Sequence, residues 1–435
     1  MNIELNIDSN SSGTKKSRPS AANILVLGDF AGQGQSEATP PVGREVRNMF
    51  TLDPNKLDSA IARVAPKIVL NPGTGPLTVP VTSMDSFHPD SLVHLEGLAR
   101  SAPHVEPEPA QQAAPAREPG AADDDNDFAR LLGAKTAGPG ATSPAVKSTL
   151  DKLIADAVAD EAPATVAPDN GLAGDYSMQL RDLLHAKPFQ QLESTWRSLQ
   201  WLGEHIDYDE TASVWLVDVD LSAIESWSED LLRKVAAGPG SAAAIVVLHD
   251  YAPSQQAELH ALARLASNLK TIAFVGATHS LAGFEGDISK ATALDASDFS
   301  KSGSESTAGL SGLQSVAAGY PGILLRQPYG KRSDPIDSFD FDELGSAPSH
   351  DAFAWGSASI VLTLMWLTAT LVVDDAPLVT YDDGSGQAIK APTGAYMTDS
   401  AAETLLARGI VPLLARRGGT EIRVPRLQSL AITAI

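Results

Sequence analysis

The chain has 435 residues, enough for two or three domains, and 43% of them are hydrophobic, enough for ordinary buried cores. A formal charge of −22 and a pI near 4.7, with no basic patch, exclude a protein that grips nucleic-acid phosphates; the acidity favours solubility and names no partner. Cysteine is absent, which excludes disulfides, thiolate-held zinc or iron–sulfur clusters and a thiol nucleophile.

Residues 1–7 alternate polar and apolar, the period of an exposed or edge strand, with Ile3, Leu5 and Ile7 on its apolar face. This is not the charged-then-apolar pattern of a secretory signal. A polar tether over residues 9–20 leaves that strand as free to pair with another chain as with its own. Residues 23–30 (NILVLGDF) predict a buried strand ending in a glycine-rich turn. Gly28, Gly32 and Gly34 make neither G-x-G-x-x-G nor a P-loop, so the turn reads as structural. A weak helix over 57–64 and a strand over 68–70 follow. From Thr78 the chain reads as a strand entering a capped helix, with Asp85 or Ser86 at the turn and Pro89 early in the helix. His88, between Asp85 and Asp90, is a lone histidine with no second ligand at a metal spacing.

Residues 101–143 are rich in Ala, Pro, Glu and Asp, a composition that buries too little apolar surface to offset the entropy of ordering, so a mobile linker is expected. Phe128–Leu132 is an apolar island within it. Residues 146–158 place Leu150, Leu153, Ile154 and Val158 on one helical face. In residues 180–203, Phe189, Leu192, Trp196 and Leu199 recur at steps of three and four, an amphipathic helix that Pro188 opens. Strands over 214–219, 242–248 and 271–276 then alternate with helices over 226–235 and 254–269. Such alternation predicts a partly parallel sheet with helices on its faces. The longest apolar run, residues 360–373, is about 14 long, short of the ~20 of a membrane span, and reads as a buried helix or two strands. A short strand is expected over 421–424. An enzyme built on this sheet would use the strand ends, where His249, Asp250 and His279 form a candidate acid–base set. The serine elbow of an α/β hydrolase is missing: Gly309-Leu-Ser-Gly312 lacks the spacing and a preceding strand.

Several phrases resemble the subunits of the type VI secretion contractile sheath. After the short N-terminal strand, "ILVLGDFAG" and "SMDSFHPDSLV" resemble the small (TssB/VipA-type) subunit over roughly residues 1–100. The "EER" segment of that family is only suggested by residues 44–47, and its "LKGPLGN" phrase is missing. The run "LLH-x-x-x-FQ-x-LE-x-x-WR" over 183–197 resembles the start of the conserved region of the large (TssC/VipB-type) subunit, a helix pair ahead of an α/β body. "HDY" at 249–251, "ILLRQPYG" at 323–330, "PIDSFDFDE" at 335–343, "FAWG" at 353–356 and "ARGIVPL" at 407–413 resemble further phrases in the family's order.

The resemblance implies an α/β protein of two sheath-like domains with mixed sheets, over residues 1–100 and 146–435, joined by an acidic Pro/Ala-rich flexible linker over 101–145, the second domain shortened at its C-terminal end. It implies a non-catalytic, cytoplasmic component of the secretion apparatus, a sheath-like subunit or a sheath- or baseplate-associated adaptor. Its partners would be itself or sheath, inner-tube or baseplate proteins, joined by strand exchange and helical stacking into a homo- or hetero-oligomer, with no cofactor, metal, nucleic acid or membrane insertion. The candidate interaction or structural residues are Ile3, Leu5, Ile7, Asp29, Phe30, Phe87, Pro89, Trp196, Arg197, Arg326, Tyr329 and Trp355. Arg326, beside the rigid Pro328-Tyr-Gly turn, is expected to pair Asp340, Asp342 or Glu343. The competing reading is a soluble hydrolase-like enzyme using His249, Asp250 and His279.

Overall fold

A strand that is apolar on both faces needs cover on both. β1 (Ala22–Gly28) is such a strand: Ile24, Leu25, Val26 and Leu27 are all fully buried in the computed structural model of the chain. The structure describes residues 22–33, 45–70, 77–95, 98, 170–206, 212–288, 293–300, 312–331, 333–345, 348–382 and 387–435. Ile3, Leu5, Ile7, the 101–145 linker and the helix expected over 146–158 lie outside the described residues.

Among the described residues of the first hundred there follow β2 (Asn48–Thr51), β3 (Lys67–Leu70) and β4 (Leu77–Pro80), with helices α1 (Leu57–Val64) and α2 (Pro89–Leu92). The helix pair α3 (Asn170–Leu184) and α4 (Lys187–His205) comes next. Then β5 (Ala212–Asp218), α5 (Ile224–Ala237), β6 (Ala244–Tyr251), α6 (Gln256–Asn268), β7 (Ile272–Ala277) and the short α7 (His279–Ala282) follow in turn. β8 (Val316–Tyr320), β9 (Ile323–Leu324), β10 (Trp355–Gly356) and α8 (Ser359–Thr368) lead to β11 (Val372–Val373) and the hairpin of β12 (Val379–Asp382) and β13 (Gln387–Lys390). The last elements are α9 (Asp399–Ala407), β14 (Ile410–Pro412), β15 (Leu414–Ala415) and β16 (Ile422–Arg423).

The main sheet runs β14-β8-β7-β6-β1-β5-β2, all parallel except β2. β1 lies inside it, with Ala22 to Gly28 paired to Ala212 to Asp218 on one edge and Ile24 to Leu27 paired to Ala244 to Val247 on the other. Strands from residues 1–100 and 146–435 therefore share one sheet. Among the described residues of the first hundred, the elements other than β1 are three four-residue strands and short helices, and the cover on both faces of β1 comes from its place inside the larger sheet. Met1–Ser101 and Asp175–Ile435 form one compact unit.

Side chains alternate across the sheet. One face, with Leu25, Leu27, Val217, Ile245, Val247 and Val275, packs on Trp227 and Leu231 of α5 and Leu259 and Leu262 of α6. α8 packs on β6, β7 and β8 at the other face, and α4 packs beside α8. α8 is apolar all round and buried from Ser359 to Met365, as a helix inside a layer must be. The apolar run at 360–373 is thus a helix followed by the two-residue strand β11. β6 and β7 fall out of register between Val246 and Asp250, which brings Asp250 opposite Gly276; the HDY phrase lies at the end of strand β6.

Candidate functional site

Phe189, Leu192, Trp196 and Leu199 form the fully buried stripe of α4, and it is against this helix that the sheath-like phrases meet. Phe189 packs edge-on against Phe87, ring centroids 5.7 Å apart. Trp196 packs edge-on against Phe30 at 5.1 Å and donates its indole N–H to the Phe30 carbonyl at 3.0 Å. Gly28 admits this approach, since a Cβ there would lie 3.0 Å from the Thr195 methyl. Further polar contacts tie the helix to the C-terminal phrases: Ser194 Oγ donates to the Trp355 carbonyl at 2.7 Å and Gln190 to the Asp351 carbonyl at 2.8 Å.

Glu193 and Arg197, four residues apart, are the polar part of the same helix and are paired at 2.7 Å. Arg326 enters between Glu193 and Glu343. Its Nε donates to Glu193 at 2.7 Å, and its two terminal nitrogens reach the two oxygens of Glu343 at 2.7 and 2.8 Å. Glu343 is one of the three acids expected for Arg326. Asp340 instead pairs the exposed Lys331, and the Asp342 carbonyl accepts from Arg181. Tyr329 closes the cluster: its ring lies 4.1 Å from the Arg326 guanidinium, its OH accepts from Arg197 at 2.9 Å, and its N–H donates to Glu343 at 2.7 Å. Two arginines and two glutamates balance. Burial alone would raise the Glu193 carboxyl, but Arg326 and Arg197 outweigh it and hold it below the usual carboxylate range.

The SMDSFHPD turn docks beside this cluster. Pro89 opens α2, His88 packs edge-on against Tyr329 at 4.9 Å, and the Asp90 carboxylate accepts the backbone N–H groups of Asp337 at 3.1 Å and Ser338 at 2.9 Å. Asp29 belongs to a second ionic cluster, at the C-terminal ends of β1 and β5. There Arg47 reaches both Asp29 and the fully buried Asp218, the latter at 2.7 and 3.1 Å through two nitrogens. Asp218 also accepts the Ala31 N–H at 3.2 Å.

The structure thus gathers Phe30, Phe87, Trp196, Arg197, Arg326, Tyr329 and Trp355 around α4, with Pro89 next to them and Asp29 in the adjoining cluster. Most are buried, so they hold this unit together rather than present a surface. Sequence reasoning missed Glu193, Arg47 and Asp218. Glu193 was signalled by its four-residue step to Arg197 beside two core positions, and Arg47 by the basic segment 44–47.

His249, Asp250 and His279 do not form a set. His249 contacts the side chain of Gln255 at 3.1 Å and packs edge-on against Tyr251. The Asp250 carboxyl is pushed up to about 6 by burial, against a Ser357 hydrogen bond, and its Oδ1 is buried without a partner. His279 Nδ1 is 3.0 Å from the Tyr320 hydroxyl. None of the three is hydrogen-bonded to another, so the base-to-orienter contact of an acid–base pair is missing among the described residues. No group of three or more His, Asp or Glu among the described residues is arranged to hold a metal, and none of the described helices is long and apolar enough to cross a membrane.

Residues 172–236 match the VipB family model, the EvpB/VC_A0108 tail sheath N-terminal domain. The match spans most of α3, all of α4 and β5 and nearly all of α5, so it contains the helix around which the candidate residues gather. It supports a structural component of a type VI contractile sheath, with a large-subunit-like region at this position. No curated protein matches the chain.

Proposed function

We propose that this chain is a non-catalytic sheath component of a type VI contractile secretion apparatus that carries small- and large-subunit-like segments in one polypeptide, acting in the cytoplasm through protein partners. The observation that carries the reading is the sheet itself: β1, from the GDF phrase, pairs on both edges with β5 and β6, and β5 lies inside the matched tail-sheath region. The Phe30–Trp196 and Phe87–Phe189 pairs add side-chain contacts between the same two segments. A single chain that delivers both segments fixes their ratio at one to one.

The test is negative-stain microscopy of the purified chain, alone and mixed with small and large sheath subunits and baseplate proteins from the same source. Incorporation into tubes, or a stable complex with one of those proteins, is the expected result. Monodisperse monomers that bind none of them would sink the proposal.

A further inference from the structure

Ile432 breaks two rules at once. Its φ is +60°, the left-handed region that a β-branched residue avoids, and it is 52% exposed, so the fold gains neither relaxed backbone nor burial from it. The turn that presents it is firmly held. Ile432 N–H donates to the Ser429 carbonyl at 2.9 Å, Ser429 N–H to the Thr433 carbonyl at 2.8 Å, and Leu430 N–H to the Val316 carbonyl of β8 at 2.8 Å. Ser429 and Leu430 are buried, and Gln428, bridged to Ala434, donates its amide to the Leu406 carbonyl at 2.7 Å. Arg426 is exposed beside this turn: its Nε donates to the Gln428 side chain at 2.9 Å, and it has no carboxylate partner among the described residues. A strained apolar tip on a rigid base, with a cation beside it, has the character of a contact residue.

A socket of matching character opens elsewhere on the same molecule. Between β12 and the loop of residues 328–345 lies a cleft of about 620 Å³, within the ~300–1,000 Å³ of ligand-binding clefts. Leu344 and Tyr381, both half-buried, give it an apolar wall. At its mouth Asp340 is neutralised by Lys331. Asp342 is exposed; its carboxylate accepts the Leu344 N–H at 3.1 Å and has no cation beside it among the described residues. Ile432 and Arg426 do not line the cleft of their own molecule.

We propose that the Ile432 turn of one copy of this chain seats in the 328–345 cleft of a second copy, with Arg426 on Asp342. Knob and socket are different surfaces, so the contact is heterologous: each pair still offers a free knob and a free socket, and copies add in rows rather than stopping at two. The inference deepens the sheath reading by naming a self-contact, yet the two fail separately. A chain that binds sheath proteins but not itself overturns this inference alone; a chain that binds only itself, through this contact, overturns the sheath reading alone.

The test is sedimentation velocity of the full chain at low salt, from about 5 to about 200 µM, the range in which one small contact becomes visible. The average mass should keep rising with concentration and fall back when salt is added. Ile432→Gly removes the knob and relieves the strained backbone. It should weaken association at least about tenfold while raising the folding constant about threefold to tenfold in urea, whereas loss of a merely structural side chain would lower the folding constant. Asp342→Arg should block association by setting like charges together. Mixed, the two blocked chains should form dimers and nothing larger, since one keeps a socket and the other a knob. Any of three results overturns the proposal: a wild-type chain monomeric across the range, an Ile432→Gly chain that associates as the wild type does, or a mixture that does not pair.

Discussion

Asp250 lies opposite Gly276, and the missing Cβ is what makes room for it: a methyl there would fall 1.7 Å from Oδ1 and 2.5 Å from the Ser357 hydroxyl. Burial raises this carboxyl from its ordinary value to about 6, so the folded state is penalised while the group is ionised. The sign follows from linkage: the folded state binds the proton more tightly than the unfolded one, so the penalty is full above pH 6 and fades as pH falls towards 4. Asp250→Asn should raise stability at pH 8 by at most about 3 kcal/mol and at pH 4.5 by only about a third as much, read by urea denaturation at the two values. An equal effect at both would sink the argument. At this scale the sequence was legible where a residue acts locally: Pro89 opens its helix as expected. It was not legible where a partner is remote. Arg47 meets Asp218 across 171 positions, and Asp250 faces Gly276 only because β6 and β7 change register.

The helix α4 was legible from its period, since Phe189, Leu192, Trp196 and Leu199 mark a buried stripe without any tertiary knowledge. α8 was not, because a segment apolar on every side has no period to read and fits a helix or strands equally. What joins α4 to the C-terminal phrases is the ion cluster around Arg326. Removing its guanidinium leaves two glutamates buried without their main counter-charge, so Arg326→Ala should cost about 3–5 kcal/mol in urea denaturation. Arg326→Lys should recover only part, since the three N–H donors on one nitrogen cannot replace the two bonds to Glu343 and two to Glu193 that the planar fork makes. Lys331→Ala, which breaks the exposed pair with Asp340, is the control and should cost under about 1 kcal/mol. Equal losses at the two sites would show that the cluster is not what couples these elements.

For the molecule as a whole, the α/β class was legible from alternating strand and helix periods, whereas the placing of β1 was not. Nothing local in residues 23–30 says which distant strands they will join: the partners of β1 begin at Ala212 and Ala244, far along the chain. Two fragments, residues 1–135 and 136–435, should therefore assemble when co-expressed and co-purify as a stable pair, because three-way strand pairing and the Phe30–Trp196 contact hold them. Residues 136–435 alone should be insoluble or expanded, lacking an inner strand. A folded, soluble 136–435 fragment by circular dichroism and size exclusion would contradict this.

The position of β1 also sets a timetable for synthesis. The partner of Ile24, Ala244, leaves the ribosome 220 residues after it (244 − 24). At bacterial elongation rates of about 5–20 residues per second, an all-apolar strand waits roughly 10–40 seconds before its second neighbour exists. During that interval the nascent chain exposes an apolar strand with an unpaired edge, the kind of surface that mispairs and that chaperones exist to shield.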